Sequence, residues 1–252
     1  MLELIGLGLY DENDLTLRGI AEAKTADKVC IELYTSYWHG SIERLEKIIG
    51  KKIEILNRKD LEENSEKILN EAKSKKIVLF VQGDPLIATT HSALILEARK
   101  KQIETRIVHN ASIISAIAET GLHIYKFGPP VTIPFPEKTK GKLPESVYDL
   151  IKMNKERGLH TLCLLDVVAE EKRYMLPQEA VKILLELEGN KKQDVFTEDT
   201  NVLTVGKLGS PKPMFEIKKA KSILNNYFRE LPAILIIPGN MHFTEREFVT
   251  IR

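Results

Sequence analysis

The sequence predicts an α/β fold of two α/β domains, and three observations predict it. Short apolar runs alternate with segments of helical periodicity along nearly the whole chain. The runs Lys76-Ile-Val-Leu-Phe-Val81 and Ala233-Ile-Leu-Ile-Ile237 are almost unbroken, the pattern of strands buried on both faces of a sheet. From Phe127 a proline cluster and the lysine-rich stretch Glu137–Lys142 interrupt the alternation, and 252 residues are enough for two domains. The division falls at residues 1–110 and 111–252, with the crossover over 110–127.

In order, Leu2–Leu7 reads as a strand and Gly6–Asp11 as a turn, with a helix from about Asp14 that places Leu17, Ile20 and Ala21 on one face. Lys28–Leu33 is the next strand. Ser41 is placed to cap a helix carrying Ile42, Leu45 and Ile48-Ile49, which Gly50 stops. A strand at Ile53–Leu56 precedes one charged helix over Leu61–Lys73. The strand to Val81 is followed by a loop, by a helix to Lys100 with Thr89 or Thr90 as N-cap, and by a strand at Thr105–His109. Ser112 caps a helix with Ile113, Ala116 and Ile117 on one side, ended by Gly121. Beyond the prolines come a helix over Glu145–Arg157, a strand over Leu159–Leu165 and a helix opened by Pro177. Strands near Asp194–Phe196, Val202–Gly206 and Met214–Ile217 follow. A helix aligning Ala220, Ile223, Leu224 and Tyr227 precedes the last apolar strand, stopped by Pro238-Gly239.

The formal charge of +1 supplies no basic field, so direct nucleic-acid binding is not expected. Cys30 and Cys163 lie inside apolar runs and read as buried hydrophobes, and the histidines have no ligand spacing, so no metal is expected. No apolar stretch approaches the roughly 18 residues of a spanning helix, and the N-terminus lacks a signal-peptide pattern. These features predict a cytoplasmic protein without membrane attachment.

The chain turns on Gly83-Asp-Pro-Leu-Ile-Ala-Thr-Thr-His91, the loop leaving a central strand at its carboxyl end, where open α/β sheets bind ligands. Gly83 lets the backbone turn or approach a ligand, Pro85 fixes the bend and Asp84 offers acceptor oxygens. Gly6-x-Gly8 with Glu32 after the second strand imitates a dinucleotide fingerprint, but Asp11 occupies the third glycine position. His91, in a helix first turn, reads as a neutral packing residue. Asp166 ends a strand and either faces the same crevice as Asp84 or caps its own turn. No Gly-x-Ser-x-Gly, P-loop or His-Glu-x-x-His pattern occurs.

Five motifs in order and spacing resemble the diphthine synthase family: Ile5-Gly-Leu-Gly-Leu-Tyr-Asp11, Gly83–His91, His109-Asn-Ala-Ser-Ile113, Gly121-Leu-His-Ile-Tyr-Lys-Phe-Gly128 and Gly158-Leu-His-Thr-Leu-Cys-Leu-Leu-Asp166. Gly-Asp-Pro alone indicates only the wider tetrapyrrole-methylase-like superfamily; Ala-Thr-Thr-His and Ile-Tyr-Lys-Phe-Gly mark the diphthine branch. The resemblance spans Leu2 to about His242. It implies two α/β domains with S-adenosylmethionine in the cleft between them, S-adenosylhomocysteine as product, and a homodimer. It implies translation elongation factor 2 as protein substrate, at a histidine bearing a 3-amino-3-carboxypropyl group, with N-trimethylation and, in eukaryotic members, a carboxylate methyl ester. The family's cofactor contacts carry over to Leu9, Asp84, Ile87, Ser112, Ile113, Leu165, Leu208 and Ala233. At Ala233 relatives usually have histidine, which leaves a backbone contact there. The alternatives are a tetrapyrrole-precursor methyltransferase and a catalytically silent protein that docks on a translation factor. No catalytic side chain is assigned; Asp166 and His91 are candidate bases by position only.

Overall fold

The computed structural model describes residues 1–251, in two compact units that meet in sequence at Ala116 and Ile117. The first unit runs β1 (Leu2–Gly6), α1 (Leu17–Thr25), β2 (Lys28–Glu32), α2 (Ile42–Ile49), β3 (Ile53–Leu56), α3 (Arg58–Glu62), α4 (Glu66–Ala72), β4 (Ile77–Val81), α5 (His91–Lys100), β5 (Thr105–Val108) and α6 (Ile113–Ala116). Its five strands form one parallel sheet in the order β3-β2-β4-β1-β5. Every residue of β1 and β4 is buried, as continuous apolar runs require when helices cover both faces. Ile5, Leu7, Val29, Ile31, Val78 and Phe80 meet Leu45 and Ile49 of α2 in the core.

Local chemistry moves several boundaries. Thr16, not a residue near Asp14, caps α1, its Oγ1 accepting from the Gly19 N–H at 3.0 Å. Leu17 is therefore 86% exposed and Ala21 is exposed, while Gly19 and Ala23 face the sheet. A Cβ on Gly19 would lie 2.8 Å from Ile5 Cγ2, so glycine is what lets this helix lie close. The charged helix expected over Leu61–Lys73 is two helices, because a capping box between Asn57 and Asp60 starts α3 earlier and the chain breaks after Glu62. Thr90 precedes α5 without a side-chain cap; its hydroxyl donates instead to Glu62. The helix after Ser112 is one turn of α6 continued by a 3-10 segment over Ile117–Thr120. Ser112 serves it through its carbonyl, which accepts from the Ser115 and Ala116 N–H groups.

The second unit runs β6 (Val131–Ile133), α7 (Glu145–Glu156), β7 (Thr161–Leu165), β8 (Val167–Val168), β9 (Arg173–Tyr174), α8 (Pro177–Lys191), β10 (Asn201–Gly206), β11 (Met214–Lys219), α9 (Ala220–Leu224), β12 (Ala233–Ile237) and α10 (Phe243–Ile251). Its sheet, ordered β11-β10-β12-β7-β6, is mixed: only β6 and β7 are parallel. Residues 194–196 are not a strand. The N–H groups of Gln193, Asp194, Val195 and Phe196 all donate to the Glu188 carboxylate at 2.8–2.9 Å, which satisfies them without a sheet partner. α9 ends at Leu224, and Leu224 and Tyr227 are exposed, Ala220 and Ile223 alone turning inward. Cys30 and Cys163 are buried free thiols, and burial pushes the Cys30 thiol up to about 12. Among the described residues no helix is long and apolar enough to cross a membrane.

Candidate active site

The order of the first sheet fixes where a ligand can sit. The chain leaves β1 toward β2 and leaves β4 toward β5, in opposite directions along the sheet. Right-handed crossovers place these two connections on opposite faces, which makes the carboxyl ends of β1 and β4 the switch point at which open α/β sheets bind ligands.

The loops at that end are tied by their own backbones. Gly8 and Gly83, both with positive φ, form an isolated antiparallel bridge: Gly83 N–H to the Gly8 carbonyl at 2.9 Å and the reverse at 3.3 Å. A Cβ on Gly6 would lie 2.4 Å from the Gly83 carbonyl oxygen and 2.7 Å from Asn110 Cβ, so the approach depends on glycine there. Asn110 Nδ2 donates to the carbonyls of Gly6 and Asp14 at 2.9 and 3.0 Å, joining the loop after β5 to the loop after β1. The Asp14 carboxylate accepts from the Leu9 and Tyr10 N–H groups at 3.0 and 2.7 Å. Gly83 differs from its neighbours. A Cβ there would meet nothing closer than 3.9 Å, in ordinary van der Waals contact with Ala111 and Ser112, so no close approach requires glycine there.

Asp84 is 7% exposed. Its Oδ2 accepts from His109 Nδ1 at 2.7 Å and from the Asn110 N–H at 3.3 Å, and its Oδ1 from the Leu86 N–H at 3.1 Å. Leu86 and Ile87 leave 37% and 38% of their surface in solvent, and Ala88 beside them holds a left-handed φ of 56°. Such a conformation costs a non-glycine residue about 1–2 kcal/mol and concentrates at functional loops. Thus Leu9, Asp84, Ile87 and Ser112 belong to three loops at one end of one sheet, and Ile113 opens the helix that follows the third. Leu165, Leu208 and Ala233 gather separately in the second unit: Ala233 pairs with Gly206, Ile234 with Leu164, and Lys207 N–H donates to the Pro232 carbonyl at 2.9 Å. Leu208 is buried, whereas Leu165 and Ala233 are half-buried.

The competing roles are filled otherwise. Glu32 is fully buried and accepts from the Tyr34 and Thr35 N–H groups and the Thr35 hydroxyl, so it folds the loop after β2 and has no access to a ribose. Asp166 is not a free carboxylate: both its oxygens are engaged within its own unit, by Phe135 N–H, Lys138 Nζ and Val167 N–H at 2.7–2.8 Å. His91 is 2% exposed, and burial brings its imidazole down to about 4, so it is a neutral packing residue at neutral pH. No group of three or more His, Cys, Asp or Glu able to hold a metal occurs among the described residues. A cavity of ≈ 320 Å³ lies between β10–β11 residues and Thr120, Val249 and Thr250, and none of the eight predicted contacts lines it.

Sequence reasoning missed Asp14 and Asn110, whose work is to splice loops, a task that leaves no spacing signal. It also passed over the segment Tyr34–Gly40, whose density of aromatic residues after a strand was the available signal.

The profile of the Tetrapyrrole (Corrin/Porphyrin) Methylases matches residues 1–212. The chain is 48% identical over 250 residues to the diphthine synthase of Methanocaldococcus jannaschii, covering 98% of this chain and 96% of that protein. It is 43% identical over 248 residues to the diphthine synthase of Methanococcus aeolicus, with coverage of 98% and 96%. A crystal structure of diphthine synthase superposes with a TM-score of 0.89 at 33% identity, covering 100% of this chain and 95% of that one. With the motif-bearing loops joined at the carboxyl end of a parallel sheet, the chain belongs to the tetrapyrrole methylase family, in its diphthine synthase branch, and is an S-adenosylmethionine-dependent methyltransferase of diphthamide biosynthesis.

Proposed function

We propose that the methyl acceptor is the modified histidine of translation elongation factor 2, and that its 3-amino-3-carboxypropyl amino group is carried to the trimethylammonium. Esterification of the carboxylate is the fourth transfer the same site would have to support. We further propose that Leu9, Asp84, Ile87, Ser112, Ile113, Leu165, Leu208 and Ala233 contact S-adenosylmethionine, and that the enzyme works as a homodimer.

One observation carries this reading. The segments 6–16, 33–41, 82–90 and 109–112 contain Asp11, Glu12, Asp14 and Asp84 and not one of the chain's 37 lysines and arginines. Such an end of a sheet favours a cationic sulfonium and a cationic amine. The residues also suit the cofactor chemically, since Leu86 and Ile87 present apolar surface beside the buried Asp84. A tetrapyrrole precursor would call for cationic side chains facing its carboxylates, and these four segments offer none.

When bound, the cofactor supplies a methyl group activated on sulfonium sulfur. The chain's part is to hold the acceptor nitrogen in line with that carbon, which three loops locked by the Gly8–Gly83 bridge and Asn110 are built to do. The amine's lone pair forms the N–C bond as the S–C pair returns to sulfur, and each of the three N-methylations releases one proton. An alkylamine with a pKa near ~10 must first lose that proton. Asp166 and His91 are committed to packing, so we assign this loss to desolvation of the amine. Attack by a carboxylate needs no proton removal.

The test is incubation with methyl-labelled S-adenosylmethionine and elongation factor 2 bearing the unmethylated 3-amino-3-carboxypropyl histidine. Label at that histidine is the expected result, with mass spectrometry counting three or four methyls. Binding of the factor without transfer, or label only in a tetrapyrrole, would sink the reading.

A further inference from the structure

A second feature adjoins the same sheet end. Between β2 and α2 the chain runs Leu33-Tyr-Thr-Ser-Tyr-Trp-His-Gly40. Tyr10 and His39 stack with centroids 4.5 Å apart and planes at 28°, and Tyr37 stands edge-on to His39 at 4.7 Å and 64°. The three rings therefore form a corner, not a flat pile. All three are half-buried.

This corner is built in, and it adjoins the site loops on both sides. His39 N–H donates to the Tyr10 carbonyl at 3.0 Å, and Tyr10 follows Leu9 directly. Gln82 Nε2 donates to the Tyr37 carbonyl at 2.7 Å, one residue before Gly83. Glu32 holds the start of the segment through Tyr34 and Thr35, and Glu12 holds its end through the Ser41 N–H at 3.0 Å. A Cβ on Gly40 would fall 2.1 Å from the Trp38 ring, so glycine there makes room for the indole. Arg44 pairs with Glu12 at 2.7 Å, and Arg58 pairs with Glu62 at 3.3 Å while lying over Tyr34.

We propose that Tyr10, Tyr37 and His39 are a binding wall for the methylated, cationic forms of the acceptor amine, retaining the substrate between successive transfers. The proposal rests on the acceptor assigned above. Its logic is that methylation removes hydrogen-bond donors one at a time: an ammonium has three N–H groups and a trimethylammonium none. Carboxylates therefore lose their directional grip as the reaction advances. Aromatic faces do not, because they attract the cation through the ring quadrupole and the methyl groups through dispersion. A subsite of rings is thus the chemistry that holds all the intermediates with comparable strength.

The experiment compares wild type, Tyr37→Leu, Tyr10→Leu and Tyr37→Phe in the elongation-factor assay, with cofactor affinity by calorimetry and melting temperature as controls. Tyr37→Leu is expected to raise the KM for the factor roughly three- to thirty-fold, the range a ring–cation contact supplies, and to release mono- and dimethylated product. Tyr37→Phe, which keeps the ring, restores the wild-type product ladder. Should Tyr37→Leu not fold, Tyr10→Leu is expected to give the same release. A second arm needs no factor: tetramethylammonium chloride, against sodium chloride at equal ionic strength, is expected to shift tyrosine ring resonances in wild type and not in Tyr37→Leu. Transfer by wild type with an unaltered ladder in both leucine variants and no tetramethylammonium shifts overturns the wall. Shifts without any transfer to the factor support the wall and indict the acceptor assignment instead.

Discussion

Asp84 and Glu245 are both buried carboxylates paired with a histidine, and they teach opposite lessons. Glu245, in α10, is fully buried and accepts four close hydrogen bonds: from the His123 and His242 N–H groups at 2.7 and 2.6 Å, Lys126 Nζ at 2.6 Å and His160 Nε2 at 3.0 Å. His160 is itself closed off, since its Nδ1 accepts from the Gly239 N–H at 2.9 Å, which assigns the ring proton to Nε2. Asp84 accepts three bonds, leaves part of its acceptor capacity unused, and its histidine is 69% exposed. The first cluster is complete within the fold. The second keeps room for a further donor. Glu245, whose carboxyl is held at about 2, is nonetheless structural, which cautions against taking perturbed titration alone as the mark of a site.

Removing Glu245 is the largest way to break this contrast. Glu245→Ala removes the acceptor that Lys126, His160 and two backbone N–H groups share, and truncating one side of a buried cluster costs about 3–5 kcal/mol. A urea titration of the second unit is expected to show a loss of that size with cofactor binding to Asp84 variants and wild type ranked as before. The acid limb sharpens it. Burial would raise the Glu245 carboxyl, but Lys126, the two N–H groups and His160 outweigh it and hold it at about 2, against an ordinary 4.5. Its contribution is thus whole above pH 4.5 and is lost as the pH falls toward 2. His160, lowered chiefly by burial, likewise favours the fold above its ordinary 6.5 and less as the pH falls. Glu245→Gln is expected to flatten the stability profile between pH 4.5 and 2. A wild-type profile without that slope would contradict the assignment.

Asp84→Ala should behave in reverse, with a small change in melting and a large one in binding. Hydrogen bonds to a charged group are worth about 1.5–3 kcal/mol, so a roughly 10- to 150-fold weaker affinity for S-adenosylmethionine by calorimetry is expected. Unchanged affinity would remove Asp84 from the cofactor site.

How much of this was legible depends on the range of the interaction. The buried strands, the Ser41 cap, the Gly50 stop and the Gly83–His91 loop follow from local pattern, and the structure has them. The face of α1 did not, because moving the cap to Thr16 rotates which residues turn inward, and apolar Leu17 was trusted over small Gly19 and Ala23. The false strand near Asp194 shows the same limit: a single distant carboxylate, Glu188, replaces a ladder that the sequence suggested. The motifs around His123, Lys126 and His160 were visible, but their meaning depends on Glu245, up to 122 residues away in a helix that was not anticipated. Local chemistry writes elements; partners distant in sequence decide whether a charged residue is spent or free.

Glycine substitutions probe the same contrast at lower cost. Both Gly83 and Gly121 have positive φ, at 68° and 83°. A Cβ on Gly121 would fall 2.1 Å from the Phe248 ring, so Gly121→Ala must displace α10. At Gly83 no atom stands closer than 3.9 Å, and Gly83→Ala pays only the left-handed conformation, about 1–2 kcal/mol. Thermal melts of the two variants are expected to rank Gly121→Ala below Gly83→Ala, with the loss of cofactor affinity ranked the other way.

The smallest effect is expected at His109, and it decides what holds Asp84 in place. If the 2.7 Å bond from His109 Nδ1 were the chief support, His109→Ala would imitate Asp84→Ala. Yet the imidazole is 69% exposed, where ion pairs contribute about 0–1 kcal/mol. The carboxylate also keeps the N–H groups of Leu86 and Asn110, and Asn110 is fixed by its own bonds to Gly6 and Asp14. Backbone donors that are rigid before the ligand arrives position an acceptor without the entropy cost of ordering a surface side chain. Calorimetry on His109→Ala is therefore expected to show cofactor affinity within about five-fold of wild type, the span of 1 kcal/mol. A loss as large as that of Asp84→Ala would transfer the positioning role from the backbone to the imidazole.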